Sequence, residues 1–140
     1  MARTTFNGPV ASQNGFISGH QVTAANAVNA TTTATAAQVA SGYITSTSVA
    51  GTNITLPTGT DLGSLIGAVQ GTSLDLYIDN TAGASAVAVV ANTNAVLSSA
   101  GVDGSTANFG DLTIAAGATG IGRFTLMFSS PTAYVFSRTA

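Results

Sequence analysis

The sequence predicts an all-β domain of the sandwich or barrel class, carrying one short helix. Three observations point there. Short runs of apolar–polar alternation recur along residues 42–140, glycine-rich turns separate them, and one stretch alone in that region has apolar residues at clear helical spacing. About 99 residues suffice to bury a modest core, and the 140-residue chain suits a single domain.

Residues 1–41 form the first unit, an extended N-terminal arm followed by an Ala/Thr-rich connector. Asn7-Gly8-Pro9 and Asn14-Gly15 are turn signals, and the apolar residues between and after them are isolated: Phe6, Val10, Phe16, Ile17 and Val22. Such a segment has no core of its own. It must dock on its own body, on a sister subunit or on another protein. Residues 23–40 read as low-complexity connector, in which Thr and Asn weaken the helix preference of Ala. A helical turn at Ala36–Ala40, ended by Gly42, is the one ordered element expected there.

The body is expected over residues 42–140. Tyr43 to Val49 is rich in β-formers, and Asn53-Ile54-Thr55-Leu56 alternates until Pro57 stops it. Thr60 or Asp61 caps a helix with Leu62, Leu65, Ile66 and Val69 on one side; Gly63 and Gly67 weaken it and Gly71 ends it. Ser73 to Asn80 puts Leu74, Leu76 and Ile78 on one face and Asp75, Tyr77 and Asp79 on the other. A turn at 81–84 and the run Ala86 to Val90 complete an expected antiparallel hairpin. Residues 92–110 read as loop. Asp111 to Ile114, Arg123 to Phe128 and Ala133 to Ser137 are the last strands, with Phe124, Leu126 and Phe128 sharing one face and Tyr134 and Phe136 another.

Composition excludes whole classes of function. Only 6% of the residues are charged, against about 25% in an average domain. Three basic residues and a net charge of -2 make no footprint for nucleic acid. Without Cys there is no disulfide, thiolate metal site or cysteine nucleophile, and without Lys no Schiff base or P-loop lysine. No run of about 18 apolar residues is present to form a membrane helix, and no apolar signal-peptide core follows Arg3. Synthesis in the cytoplasm without a cleavable signal is therefore expected. A surface of hydroxyls, amides and small apolar groups packs against other proteins without desolvating many charges, so an assembled protein is expected.

The remaining constellations each have a plainer explanation. His20, the sole histidine, lies in the arm and has no triad framework around it. Asp75 and Asp79 share a strand face but stand about 13 Å apart along it, too far to share an ion; beside Arg123 they make an ion pair between strands or subunits. Asp103 to Asp111 lacks the spacing and terminal Glu of a calcium-binding hand. Gly117-Ala118-Thr119-Gly120-Ile121-Gly122 precedes a strand, which argues against a dinucleotide loop. The tyrosines form either a sugar platform or core and interface packing. No metal or cofactor is expected, and no catalysis.

Several stretches carry a family resemblance. Thr5-Phe6-Asn7-Gly8-Pro9-Val10 with Ser12-Gln13-Asn14-Gly15-Phe16 resembles the opening of tailed-bacteriophage virion proteins. Ile54-Thr55-Leu56-Pro57, the helix after it, Leu74 to Thr81, Thr113 to Gly117 and Gly122-Arg123-Phe124-Thr125 are similar to their bodies. The family is that of small capsid-decorating (cement) or head-fibre-like proteins. The resemblance implies a jelly-roll-like β-sandwich that trimerises on the capsid exterior and meets the major capsid protein. Phe6, Val10, Phe16 and Ile17 of the arm would then be the docking anchors, each contributing about 1.5–3 kcal/mol when fully buried. The alternative expectation is a carbohydrate- or host-binding head fibre displayed on the virion.

Overall fold

The computed structural model describes residues 26–97 and 112–140. In chain order these form β1 (Thr32–Thr33), α1 (Ala36–Ala40), β2 (Tyr43–Thr45), β3 (Thr52–Thr55), α2 (Gly59–Ile66), β4 (Ser73–Asp79), β5 (Val87–Val90), β6 (Ala95–Leu97), β7 (Thr113–Ile114), β8 (Ile121–Ser130) and β9 (Ala133–Arg138). The protein is all-β, with two short helices among the described residues.

The strands make two mixed sheets. One has the order β1-β3-β5-β7 and the other β2-β4-β8-β9-β6. From β1 to β7 successive strands alternate between the sheets, and β1 and β3, β2 and β4, β3 and β5, and β5 and β7 become neighbours. β1 with β3, β3 with β5 and β2 with β4 consequently run parallel. The long β8 pairs antiparallel with both β4 and β9, with an irregularity between Phe128 and Ser130.

Period-2 alternation gives each sheet one buried side. Ile44, Leu76, Ile78, Phe124, Leu126, Phe128, Tyr134 and Phe136 from the five-stranded sheet join Ile54, Val87, Val89 and Ile114 from the four-stranded sheet in one apolar cluster. Phe128 and Tyr134 pack as a tilted pair with ring centroids 5.3 Å apart. The Tyr134 hydroxyl donates to the Pro57 carbonyl at 2.7 Å, so this buried ring leaves no polar atom unpaired.

Four sequence expectations change. Residues 26–40 are more than a connector: Val28, Ala34 and Val39 are buried in the same cluster as the strands, which places the start of the packed region before Gly42. Val28 donates from its backbone to Thr45 at 2.8 Å, extending the five-stranded sheet beyond β2. Secondly, β4 and β5 do not form a hairpin; they lie in different sheets. Alternation shows that each strand buries one face, and two strands facing each other across a core satisfy that as well as two paired side by side. Thirdly, α2 is capped by Thr58, whose Oγ1 accepts from the Asp61 backbone at 3.1 Å, and it ends at Gly67 with φ 62°. Lastly, Ala95–Leu97, expected as loop, pairs parallel with β9.

α1 forms where expected. Thr35 and Gln38 make a capping box: the Gln38 backbone donates to Thr35 Oγ1 at 3.1 Å, and the Thr35 backbone to Gln38 Oε1 at 2.8 Å. No helix among the described residues is long and apolar enough to cross a membrane.

Candidate functional site: the outward face of the five-stranded sheet

The arm anchors Phe6, Val10, Phe16 and Ile17 lie outside the described residues, as do His20 and the Asp103–Asp111 stretch. Within the described residues, the feature that stands out is the outward side of the five-stranded sheet. Where one strand face is buried, the other is normally polar. Here it carries six of the ten large apolar side chains that are exposed among the described residues: Tyr43, Tyr77, Val96, Ile121, Met127 and Val135.

Strand register arranges these residues in rows. Ser73, Met127, Val135 and Val96 follow one another across β4, β8, β9 and β6. The next row is Asp75, Thr125 and Ser137. Tyr43, Tyr77 and Arg123 form the third, and Thr45, Asp79 and Ile121 the fourth. The face therefore has an apolar end and a polar, tyrosine-bearing end.

Both carboxylates on this face are committed to neighbours, as is Arg123 through Nη2, while Arg123 Nε is buried with no hydrogen-bond partner. Arg123 Nη2 donates to Asp75 Oδ2 at 2.6 Å, and Thr125 Oγ1 to Asp75 Oδ1 at 2.7 Å. The Arg123 guanidinium also sits over the Tyr77 ring, 5.8 Å from its centroid. Asp79 accepts from the Thr81 hydroxyl at 2.6 Å, the Thr81 backbone at 2.9 Å and the Tyr43 hydroxyl at 2.6 Å. These bonds hold both carboxyls below the usual Asp range: for Asp75 the Thr125 hydroxyl acts first and Arg123 second, for Asp79 the Thr81 hydroxyl first and Tyr43 second. Donation to Asp79 pushes the Tyr43 hydroxyl up, and pairing with Asp75 does the same for Arg123.

Of the expected ion pair, Arg123 with Asp75 forms; Asp79 has its own hydroxyl donors. No group of three His, Cys, Asp or Glu side chains able to hold a metal occurs among the described residues. The glycine-rich run after β7 is structural: Gly120 gives its carbonyl to the Asn80 backbone at 2.6 Å. Tyr134 is a core residue, whereas Tyr43 and Tyr77 stand exposed on neighbouring strands.

What the face can do is bind. It offers apolar area, pre-satisfied charges and residue types (Tyr, Met and Arg) that are enriched in interface cores. Alternation in the sequence sets Val135 opposite Tyr134 and Phe136, but no docking role was expected of Ile121 or Met127. The signal was present, since Ile121, Met127 and Val135 put apolar residues on both faces of a strand. A scan of protein-family models, a search of curated proteins and a search of solved structures each returned no match.

Proposed function

We propose that this protein is a structural virion component that decorates and stabilises the exterior of a bacteriophage capsid as a homotrimer. The N-terminal arm, through Phe6, Val10, Phe16 and Ile17, docks on the major capsid protein or a neighbouring subunit. The observation that carries this reading is an apolar, charge-satisfied sheet face on a chain with eight charged residues. The family resemblance supports the capsid setting.

In this reading the two sheets are the layers of a β-sandwich. Four of the seven strand pairings are parallel, whereas a jelly roll is built from antiparallel Greek keys, so the proposal keeps the sandwich and not the jelly-roll strand order. A protein of this kind stabilises a closed shell by binding it and not the free shell subunits. A symmetric oligomer engages several shell subunits at once, which multiplies the effect without new contacts.

Purified full-length protein should bind isolated capsid shells. A chain lacking residues 1–24 should remain folded and fail to bind; retained binding would remove the arm from this account. The alternative reading, a host- or carbohydrate-binding head fibre, draws on the exposed Tyr43 and Tyr77 beside Asp79 and Arg123. It requires saturable glycan binding that a Tyr77→Ala substitution abolishes.

A further inference from the structure

We propose that the outward face of the five-stranded sheet is covered by a second copy of this chain. The inference rests on the assembly part of the reading above and names the surface that performs it.

The physical case begins with what water meets on the free protein. Met127, Val135 and Val96 are adjacent in one row and form a contiguous apolar strip; Tyr77, Tyr43 and Ile121 add exposed apolar area beyond the intervening Asp75, Thr125 and Ser137. An exposed apolar strip rimmed by polar residues marks a binding surface. Hydrogen bonds within the face lower the cost of burying its carboxylates. Asp75 enters a contact with Arg123 and Thr125 already in place, and Asp79 with Tyr43 and Thr81, so neither carboxylate loses its only partner on leaving water.

The size of the face fits self-association. Five strands spaced about 4.8 Å apart span about 24 Å, and seven residues rising about 3.4 Å each, the length of β4, also span about 24 Å. That is a footprint on the order of 500 Å² per copy, so two copies reach the roughly 1,000 Å² total that a specific interface needs.

The occupant follows from charge and from timing. Asp75 has Arg123 in its own copy, whereas Asp79 has hydroxyl and backbone donors but no cation, so a guanidinium of another copy complements Asp79. A partner met only on a finished shell would leave this face in water until then, on a molecule with few charges to keep it dispersed. Other copies of the chain are present from synthesis onward.

Sedimentation equilibrium of the full-length protein over a wide concentration range tests this. The expected mass is at least twice 13.7 kDa. Met127→Arg and, separately, Val135→Arg should reduce it to one chain while cooperative unfolding is retained. Val49→Arg alters an exposed residue between β2 and β3, off the face, and should leave the mass unchanged. If a face variant fails to fold, peroxide oxidation of Met127 in the unmodified protein decides: oxidation slower in the native protein than in the protein dissociated by mild denaturant short of unfolding supports the inference, and oxidation equally fast in both overturns it. A single-chain mass at every concentration, or an oligomer that survives both face substitutions, also overturns it. An oligomer held by this face in a protein absent from virus particles would refute the virion reading and leave this inference standing.

Discussion

Asn80 is fully buried at the point where the chain leaves β4 and crosses to the other sheet. Its Nδ2 donates to the Ser85 carbonyl at 2.9 Å and the Ala115 carbonyl at 3.0 Å. Its backbone N–H donates to Gly120, and its carbonyl accepts from Gly83 at 3.0 Å. One side chain thus ties the crossing after β4 to the loop between β7 and β8. Asn80→Ala strands those acceptors, and a loss of about 1–3 kcal/mol is expected in urea unfolding. Tyr134 and the two sheet-face carboxylates set the response to pH. Asp75 and Asp79 titrate lower folded than unfolded, so their stabilisation is present above the unfolded Asp pKa of about 3.9 and is lost as pH falls through the lower folded values. Burial pushes Tyr134 up and hydrogen bonding to Asp79 pushes Tyr43 up, so their stabilisation is present below about pH 10 and is lost as pH rises through the folded values. Melting temperature should therefore form a plateau between those limits. A midpoint that changes steadily between pH 5 and 9 would contradict these assignments.

At the scale of elements, α2 shows why its glycines are there. Gly59 and Gly63 are four residues apart and lie on one side of the helix. A Cβ on Gly63 would strike the Pro131 carbonyl, and one on Gly59 would strike the carbonyls of Thr132 and Asn94. The helix lies flat against the turn between β8 and β9. Exchanging Gly for Ala inside a helix ordinarily adds about 1 kcal/mol of stability. Gly63→Ala should instead lower the thermal midpoint, because backbone must move to admit the methyl. A stabilised variant would show that this contact is looser than described. Propensity alone reads these glycines as helix-weakening, since the sequence does not show what the helix touches. The same limit explains the misplaced hairpin: Leu76 and Ile78 with Val87 and Val89 announce two one-sided strands, but not whether they pair or face each other. Local signals fared better. The helical turn expected at Ala36–Ala40 forms, and the structure adds the Thr35–Gln38 capping box that starts it. The faces of β4, β8 and β9 follow from alternation, as does the burial of Phe124, Leu126, Phe128, Tyr134 and Phe136.

For the whole molecule, two features act together. The first is a core shared by both sheets that reaches back to Val28, so the segment leading out of the arm is anchored in the folded body. Asn26 holds that junction, its Nδ2 donating to the Ser41 hydroxyl and the Tyr43 carbonyl, each at 2.6 Å. The second is the outward sheet face, which begins at Tyr43, next to the same junction. Low charge was legible in the composition; that the exposed apolar residues converge on one face was not, because it depends on which strands are neighbours.

The central claim, that this chain is a repeated stabilising component of a capsid, is tested most directly by its copy number in purified virus particles from its source. The account predicts many copies, in fixed proportion to the symmetric positions of the shell. A few copies at a unique vertex or tail would support the fibre reading instead. Absence from particles would contradict the account.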